Sequence, residues 1–583
     1  MGLKLKSKHA RAVLITVLVA VCQITVLAQD PAAKIDELLS TYHKYGQLNG
    51  SALVAYKGKV VLKKGYGLAN MEWNIANEPD TKFRLGSITK QFTATLILQL
   101  VEQGKLKLDG KVSDYLDGYR KDTGQRITIH NLLSHTSGVP NYTAMPGFQN
   151  ISRNPFQVGD FVTKYASGDL EFEPGSKFNY SNSGYFLLGA IIEKVTGKPY
   201  EQVLKENIFD PIDMKNTGYD HFDQVLTKRA TGYSRTPQGY QNAPYLDMSI
   251  PYAAGSLYST VEDLYLWDQA LMGDKILSAK SKQAMFTPNL SNYGYGFVMT
   301  KATLGPAKLV VPVIQHNGGI NGFSTVIVRM VDDKGVIILL DNTGQGQYQE
   351  RMVAGIMGIL YGQPYDGPQR SLAEVLMKTI IEKDVASAVK QYRDLKAAKT
   401  TDYDLNEAVL NTLGYQLLGM DRKTDAIEIF KLNVEAYPDG WNTYDSLGEA
   451  YALNHNKELA IENYKKSLEM NPKSPSAPAA LASLTGEQKE VHVDQKIYGS
   501  YAGDYQLAPN FVLTISTENG KLLAQASGQE KNELFPTSET EFFLKVVNAQ
   551  ITFVKDEQGK VTQLILHQNG RNMEAKKIRQ DQQ

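Results

Sequence analysis

The chain has 583 residues, too many for one hydrophobic core, and at about 150 residues per domain it holds three or four units. Hydrophobic residues make up 42% and charged residues 21%, and 62 basic side chains balance 62 acidic ones. That composition describes globular domains and excludes a broad polyanion-binding face, so no nucleic-acid partner is expected. At the N-terminus Lys4, Lys6, Lys8 and Arg11 precede an apolar run from Ala12 to Leu27, and Val26-Leu27-Ala28 offers a small-residue cleavage site. Residues 1–28 therefore read as a secretion signal, with the mature chain beginning near Gln29 in the periplasm or outside the cell. An uncleaved anchor is the rival reading, since the run is near the lower limit for a spanning helix. Cys22 is the only cysteine, and Val19-Ala20-Val21 before it makes a poor lipidation signal. The mature chain would then have no disulfide and no stable membrane span, and would depend on core packing.

Residues 51–70, SALVAYKGKVVLKKGYGLAN, alternate around Lys57-Gly58-Lys59 and predict a β-hairpin. Ser87 and Lys90 follow, in an SxxK tetrad. Residues three apart on a helix share a face, so Lys90 can bond the Ser87 hydroxyl and accept its proton as the oxygen attacks. The next stretch, QFTATLILQLVEQGKLKL, is apolar nearly all round, which describes a buried helix, with Gly104 as its stop. A serine in the first turn of such a helix keeps a backbone N–H free for whatever binds there. A second tetrad, Ser387 to Lys390, lies in a charged helical stretch, so context rather than spacing selects Ser87.

His130 and His135 are five apart, whereas helical metal pairs use a spacing of four; structural roles are expected for both, and no metal. Tyr180-Ser181-Asn182 supplies a YxN element, and Tyr240-Gln241-Asn242 repeats the letters in a Gly/Pro/Gln-rich loop without the same flank. Ser259 and Glu262 form a capping-box pattern ahead of Leu264 and Trp267. Tyr293-Gly294-Tyr295-Gly296 either lines a cleft or packs backbone. Strands are predicted over 308–315, 322–331 and 335–341, and His316-Asn317-Gly318 gives an HxG element near the first of them. The pattern is that of an α+β domain over 29–365. No GxSxG elbow or P-loop occurs, and Gly65-Tyr66-Gly67 lacks the third glycine of a dinucleotide fingerprint.

The ordered set SxxK, YxN, HxG, with LLSHTSGVP (Leu132 to Pro140) and the PGxxFxYSNxGY context, resembles the serine β-lactamase-related hydrolases of the class C type over residues 33–362. That family includes DD-peptidases, D-aminopeptidases and esterases. The resemblance implies an antiparallel sheet built from both chain ends with a helical insert. It also implies a Ser87 nucleophile, with Lys90, alone or through Tyr180, as base. The N–H groups of Ser87 and Gly319 would hold the oxyanion, Asn182 would hold Lys90 and a substrate amide, and the strand of His316, Asn317 and Gly318 would bind substrate without metal or cofactor. His316 replaces a lysine found in many relatives, and Asn317 a hydroxyl residue. Both departures reduce the pull on an anionic substrate end and make an efficient β-lactamase unexpected. The expected substrate is a small amide or ester: a D-amino-acid peptide, a β-lactam or a simple ester. The loops at 141–170 and 233–252 would set the choice. The rival is a non-catalytic ligand sensor or docking protein.

Pro364-Tyr365-Asp366-Gly367-Pro368 reads as a linker. Beyond it Leu413, Gly414, Ala426, Phe430 and Pro438 recur 34 positions later as Leu447, Gly448, Ala460, Tyr464 and Pro472, the tetratricopeptide spacing. Residues 371–487 are accordingly expected to form a helical repeat domain, with 371–396 as a degenerate repeat or cap, serving as a spacer or as a groove for a protein partner. Residues 494–583 alternate between turns at Asn519-Gly520, Glu557-Gln558-Gly559 and Asn569-Gly570, a small antiparallel β-domain. It resembles the lipocalin-like tails that sometimes follow such hydrolase domains, and packing or lid duty is expected of it.

Overall fold

The computed structural model describes residues 30–145, 147–236, 239–485, 493–508, 511–544, 549–556, 559–568 and 571–578. The signal read at 1–28, with Cys22, and the turn residues Glu557, Gln558, Asn569 and Gly570 lie outside the described residues. The chain divides at Gln369/Arg370 into two compact units.

In the first unit, β1 (Gly50–Tyr56), β2 (Lys59–Tyr66), β3 (Val298–Leu304), β4 (Leu309–Ile320), β5 (Phe323–Met330) and β6 (Gly335–Asp341) form one antiparallel sheet in the order β3-β4-β5-β6-β1-β2. β1 and β6 are paired from Gly50↔Asp341 to Ala55↔Val336, so the two ends of the domain meet in the middle of the sheet. These central strands are apolar on both faces because both faces are covered. Ala52, Val54, Ile337 and Leu339 pack with Ile35 and Leu39 of α1 (Pro31–Lys44) and with Ile356, near the C-terminus of the unit. Leu53, Ala55, Ile338 and Leu340 face the larger core that holds the helical insert.

Three helices of that insert matter for the site. α2 (Thr89–Glu102) is buried on nearly every face, begins after a 3-10 turn at Gly86–Ile88, and stops before Gly104, whose φ is +71°. α3 (Asn182–Thr196) is capped by Ser181, whose Oγ accepts from the Gly184 N–H. α4 (Val261–Met272) is capped by Thr260, whose side chain accepts from the Asp263 N–H, and not by the Ser259/Glu262 pair read from the sequence. Ser259 is still in a strand, Leu257–Ser259, and its hydroxyl is engaged by Thr217 Oγ1 at 2.7 Å. Glu262 turns to Lys63 instead.

β3 was not predicted. It is the sheet's edge and largely half-exposed, so VMTKATL carries no clean apolar alternation. The segment read as a linker also differs: Tyr365 packs where a Cβ at Gly358 would come 2.9 Å from its own Cβ, and Gln369 O accepts from Gln47 Nε2 at 2.7 Å. The stretch is laid along the first unit.

The second unit contains α5 (Leu372–Glu382), α6 (Val385–Ala397), α7 (Glu407–Gly419), α8 (Lys423–Ala436), α9 (Trp441–Leu453), α10 (Lys457–Met470) and α11 (Ala477–Thr485), which share one apolar core. The 34-residue period has a packing cause. A Cβ at Gly414 would lie 2.4 Å from Phe430 Cζ, and one at Gly448 would lie 3.1 Å from Tyr464 Cγ, so each glycine lets an aromatic ring of the following helix seat against its own helix. Past these helices, eight strands between Gly503 and Lys577 close into an antiparallel barrel in sequence order, with Tyr505 paired to Lys577. Side chains fill its interior: Tyr501 stacks on Phe553 at 4.4 Å, with Tyr505, Phe542, Ile551 and Leu564 around them.

One buried ion pair joins sheet and insert. Arg329 of β5 donates through Nε to Asp268 of α4 at 2.6 Å, with both side chains almost fully enclosed. Removing one partner leaves an unpaired buried charge, so Arg329→Met is expected to lower stability by about 3–5 kcal/mol, and the double replacement Arg329→Met/Asp268→Leu to recover much of it. Chemical denaturation of the three proteins checks this; equal losses in the single and double variants would contradict it.

Candidate active site

The segment carrying Ser87 runs hard against β4. Gly86 has φ +56°, and a Cβ there would come 2.9 Å from Gly319 O; a Cβ at Gly318 would come 2.0 Å from Leu85 O. Glycine at both places brings the turn at Ser87 onto the strand. The register then fixes where the strand's amides point. β4 and β5 are joined through Asn321-Gly322 with Ile320↔Phe323 as the closing pair. Counting back, Gly318↔Thr325 is a hydrogen-bonded pair and Gly319↔Ser324 is not, so the Gly319 N–H points away from β5. On that side β3 begins at Val298, opposite Gln315, and does not extend to Gly319. The Gly319 N–H therefore opens beside the first-turn N–H groups that precede α2, which have no intrahelical partner. A Cβ at Gly319 would meet nothing within 4 Å, and Asn317, on the same face of the strand, is exposed.

Lys90 is wholly buried, and its Nζ lies 3.0 Å from Ser87 Oγ, 2.8 Å from Asn182 Oδ1 and 2.8 Å from Ala254 O. All three neighbours are neutral. Burial holds the amine well below its ordinary value of 10.5, with no carboxylate opposing it. A neutral Lys90 satisfies the same geometry: two N–H groups donate to Asn182 and Ala254, and the lone pair is left for the Ser87 O–H. The Tyr180 ring lies 4.9 Å from Nζ. Its hydroxyl is buried, and Ser87 is the polar group acting on it, although no partner among the described residues meets full hydrogen-bond geometry. Burial raises this phenol above its ordinary value, the Ser87 contact opposing.

His316 is buried, with Nε2 2.9 Å from Tyr293 Oη and Nδ1 2.6 Å from Asn317 O. A carbonyl only accepts, so Nδ1 carries the proton and Nε2 accepts from the Tyr293 hydroxyl. Burial, and then the charge on Lys90, lower this imidazole to about 4, with the Asn317 contact opposing. Its ring centroid is 6.3 Å from that of Tyr180. Asn182, whose Oδ1 holds Lys90, is itself tied to the loop after residue 140: its N–H donates to Asn141 Oδ1 at 3.1 Å, and its Nδ2 donates to Thr143 Oγ1 at 3.3 Å.

The structure thus brings Ser87, Lys90, Tyr180, Asn182, His316, Gly318 and Gly319 together, with Asn317 on the open face. Sequence reasoning did not identify Ala254, Asn141 or Thr143, whose contributions are a backbone carbonyl and two loop side chains in no recognised motif. Of the Tyr293-Gly294-Tyr295-Gly296 stretch, Tyr293 is buried and bonds His316 from within the core, while a Cβ at Gly296 would lie 2.8 Å from Lys90 O, a packing role. The second tetrad is an exposed helix start: Ser387 N donates to Asp384 Oδ1, and Lys390 pairs with Asp394. Tyr240 lies exposed in a short hairpin. His130 turns to Tyr295 Oη at 2.8 Å, away from His135.

A family model described as "Beta-lactamase" matches residues 33–356, and one described as "Domain of unknown function (DUF3471)" matches 487–581. The chain is 26% identical over 571 residues to penicillin-binding protein 4* of Bacillus subtilis (strain 168), covering 94% of this chain and 99% of that one. It is 33% identical over 310 residues to the putative penicillin-binding protein PbpX of the same organism, covering 53% and 74%. The D-amino acid amidase of Ochrobactrum anthropi SV3, solved with L-phenylalanine amide, superposes with a TM-score of 0.50 at 25% identity, over 57% of this chain and 99% of that one.

The neutral His316 has a pH consequence. The folded chain leaves it unprotonated down to about 4, whereas the unfolded chain binds the proton near 6.5. Between those values the unfolded state binds more protons, so this contribution to stability is present above about 6.5 and is lost as pH falls toward about 4. His316→Gln is expected to lose less stability than the parent over that window, measured by denaturant midpoints; parallel curves would contradict it.

Proposed function

We propose, from the premise that this chain belongs to the beta-lactamase family of serine hydrolases, that it cleaves a small amide or ester through an acyl-enzyme on Ser87. The observation that carries the reading is the buried Lys90 amine, 3.0 Å from Ser87 Oγ and held by two further neutral acceptors. As Ser87 Oγ attacks the carbonyl, its proton passes to Lys90, directly or through the Tyr180 phenol; the two are close enough to titrate as a pair. The tetrahedral oxyanion sits between the N–H groups of Ser87 and Gly319, fixed donors that need no reorganisation. The leaving group takes the proton back, and water then hydrolyses the acyl-enzyme by the same relay.

The substrate class follows from the neutral His316 and from Asn317, where relatives with a lysine would place a positive charge. Neither provides a fixed cation for a carboxylate, which favours an uncharged end, as in an amino-acid amide or a simple ester. The likeness to a D-amino acid amidase supports D-amino-acid amides and peptides in particular. The basic and apolar N-terminal run supports export to the periplasm or beyond, and among the described residues no helix is long and apolar enough to cross a membrane. The helix pairs of 407–470, with their glycine-seated aromatic rings, support a tetratricopeptide-type repeat that spaces the units or docks a protein partner.

A fluorophosphonate or penicillin probe is expected to label Ser87 and not Ser87→Ala, and p-nitrophenyl esters are expected to be turned over. Lys90→Met is expected to lower kcat by roughly 100- to 10,000-fold. Labelling without turnover would overturn the hydrolase reading and leave a ligand sensor. Restoring the charge with His316→Lys is expected to shift kcat/KM toward substrates with a free carboxylate by about tenfold or more, the worth of a charge-assisted hydrogen bond. An unchanged preference among acidic and neutral amides would contradict the substrate class alone.

A further inference from the structure

His135 belongs to none of the three motifs, yet the structure ties it to both neighbours of Tyr180. Its carbonyl oxygen accepts from the Asn179 N–H at 2.9 Å, and its ring Nδ1 accepts from the Ser181 N–H at 3.1 Å. The residue between those two amides is Tyr180, whose ring packs on the imidazole with centroids 4.2 Å apart and planes 34° apart. His135 can face Tyr180 in this way because it takes a left-handed conformation, φ +57°, directly after the short helix Ile129–Leu133 and Ser134. Because Nδ1 accepts an amide proton, the ring's own proton sits on Nε2, and that N–H has no partner among the described residues. The rings of Tyr180, Tyr185, Tyr293 and Phe178 surround it. A lone buried donor among aromatic rings costs stability, so its retention asks for another reason.

We infer that His135 is a positioning residue for Tyr180: it clamps the backbone on both sides of the tyrosine and supplies the surface against which the phenol ring is aimed at Ser87. The inference rests on the reading that Tyr180 relays the Ser87 proton. The Ser181 clamp also bears on α3, since Ser181 caps that helix and Asn182, its first residue, holds Lys90. One imidazole therefore places two of the groups around the nucleophile without touching it.

The test is a double-mutant cycle in the full chain between His135 and Tyr180, read on a p-nitrophenyl ester. His135→Ala is expected to lower kcat by about 100-fold, the cost of misplacing a reacting group by an ångström, with KM changed less than about threefold. In the Tyr180→Phe background the same change is expected to cost less than about threefold, because the phenol it positions is already gone and Asn182 keeps its own ties to Asn141 and Thr143. Asparagine tolerates positive φ and carries its Oδ1 where histidine carries Nδ1, so His135→Asn keeps the acceptor for Ser181 and is expected to recover part of the loss. Should His135→Ala fail to fold, the cycle is run with His135→Asn, where the same collapse in the Tyr180→Phe background is expected. Equal losses in both backgrounds would overturn the inference and leave the reading of the site standing. A Tyr180→Phe enzyme with the parent kcat would overturn the reading of Tyr180 and the inference with it.

Discussion

Everything at this site depends on burying an amine with no counter-ion. Lys90 sits on a helix buried on nearly every face, and its three polar neighbours, Ser87, Asn182 and Ala254, are all neutral. A carboxylate in place of any of them would stabilise the ammonium and keep it charged; neutral acceptors leave the desolvation penalty unopposed, which favours the free amine. The same logic extends outward. His316 is neutral because burial opposes its cation, and the Tyr180 phenol stays protonated because burial opposes its anion. A cleft in which burial favours the uncharged form of each of these groups is set up to move a proton from serine to lysine.

The fold serves that arrangement by bringing three distant stretches onto one spot. The closing of the sheet by β1 and β6 places β4 beside the turn before α2, and glycines at 86 and 318 permit the approach. α3 then delivers Asn182 from its first turn, and the His135 clamp sets the residue before its cap. The buried Arg329–Asp268 pair ties the sheet to the insert from which α2 and α3 come. Local glycine placement and a few enclosed polar contacts do the aligning, and the apolar core holds them in register.

Much of this was legible in the residue order, for physical reasons that differ by element. SxxK is readable because helix periodicity alone brings Ser87 and Lys90 to one face, and the 34-residue period because each repeat needs a glycine under an aromatic ring. β5 and β6 announce themselves by apolar β-branched runs, since both their faces are covered, and β1 by its place in the hairpin around Lys57-Gly58-Lys59. β3 does not, because an edge strand with one half-exposed face needs no such run. Ala254 was invisible because a carbonyl carries no sequence signature, and the pairing of Tyr293 with His316 was not readable because the two are 23 positions apart. The cap of α4 shifted by one residue because a strand pairing that the sequence did not reveal had already claimed Ser259.

The protonation state of Lys90 can be measured directly. With 13C-labelled lysine incorporated into the full chain, the resonance that disappears in Lys90→Met is expected to titrate well below the ordinary 10.5, reaching the chemical shift of a free amine at a lower pH than the surface lysines do. A Lys90 resonance that keeps the shift of an ammonium up to about pH 10, like a surface lysine, would contradict the account at its root.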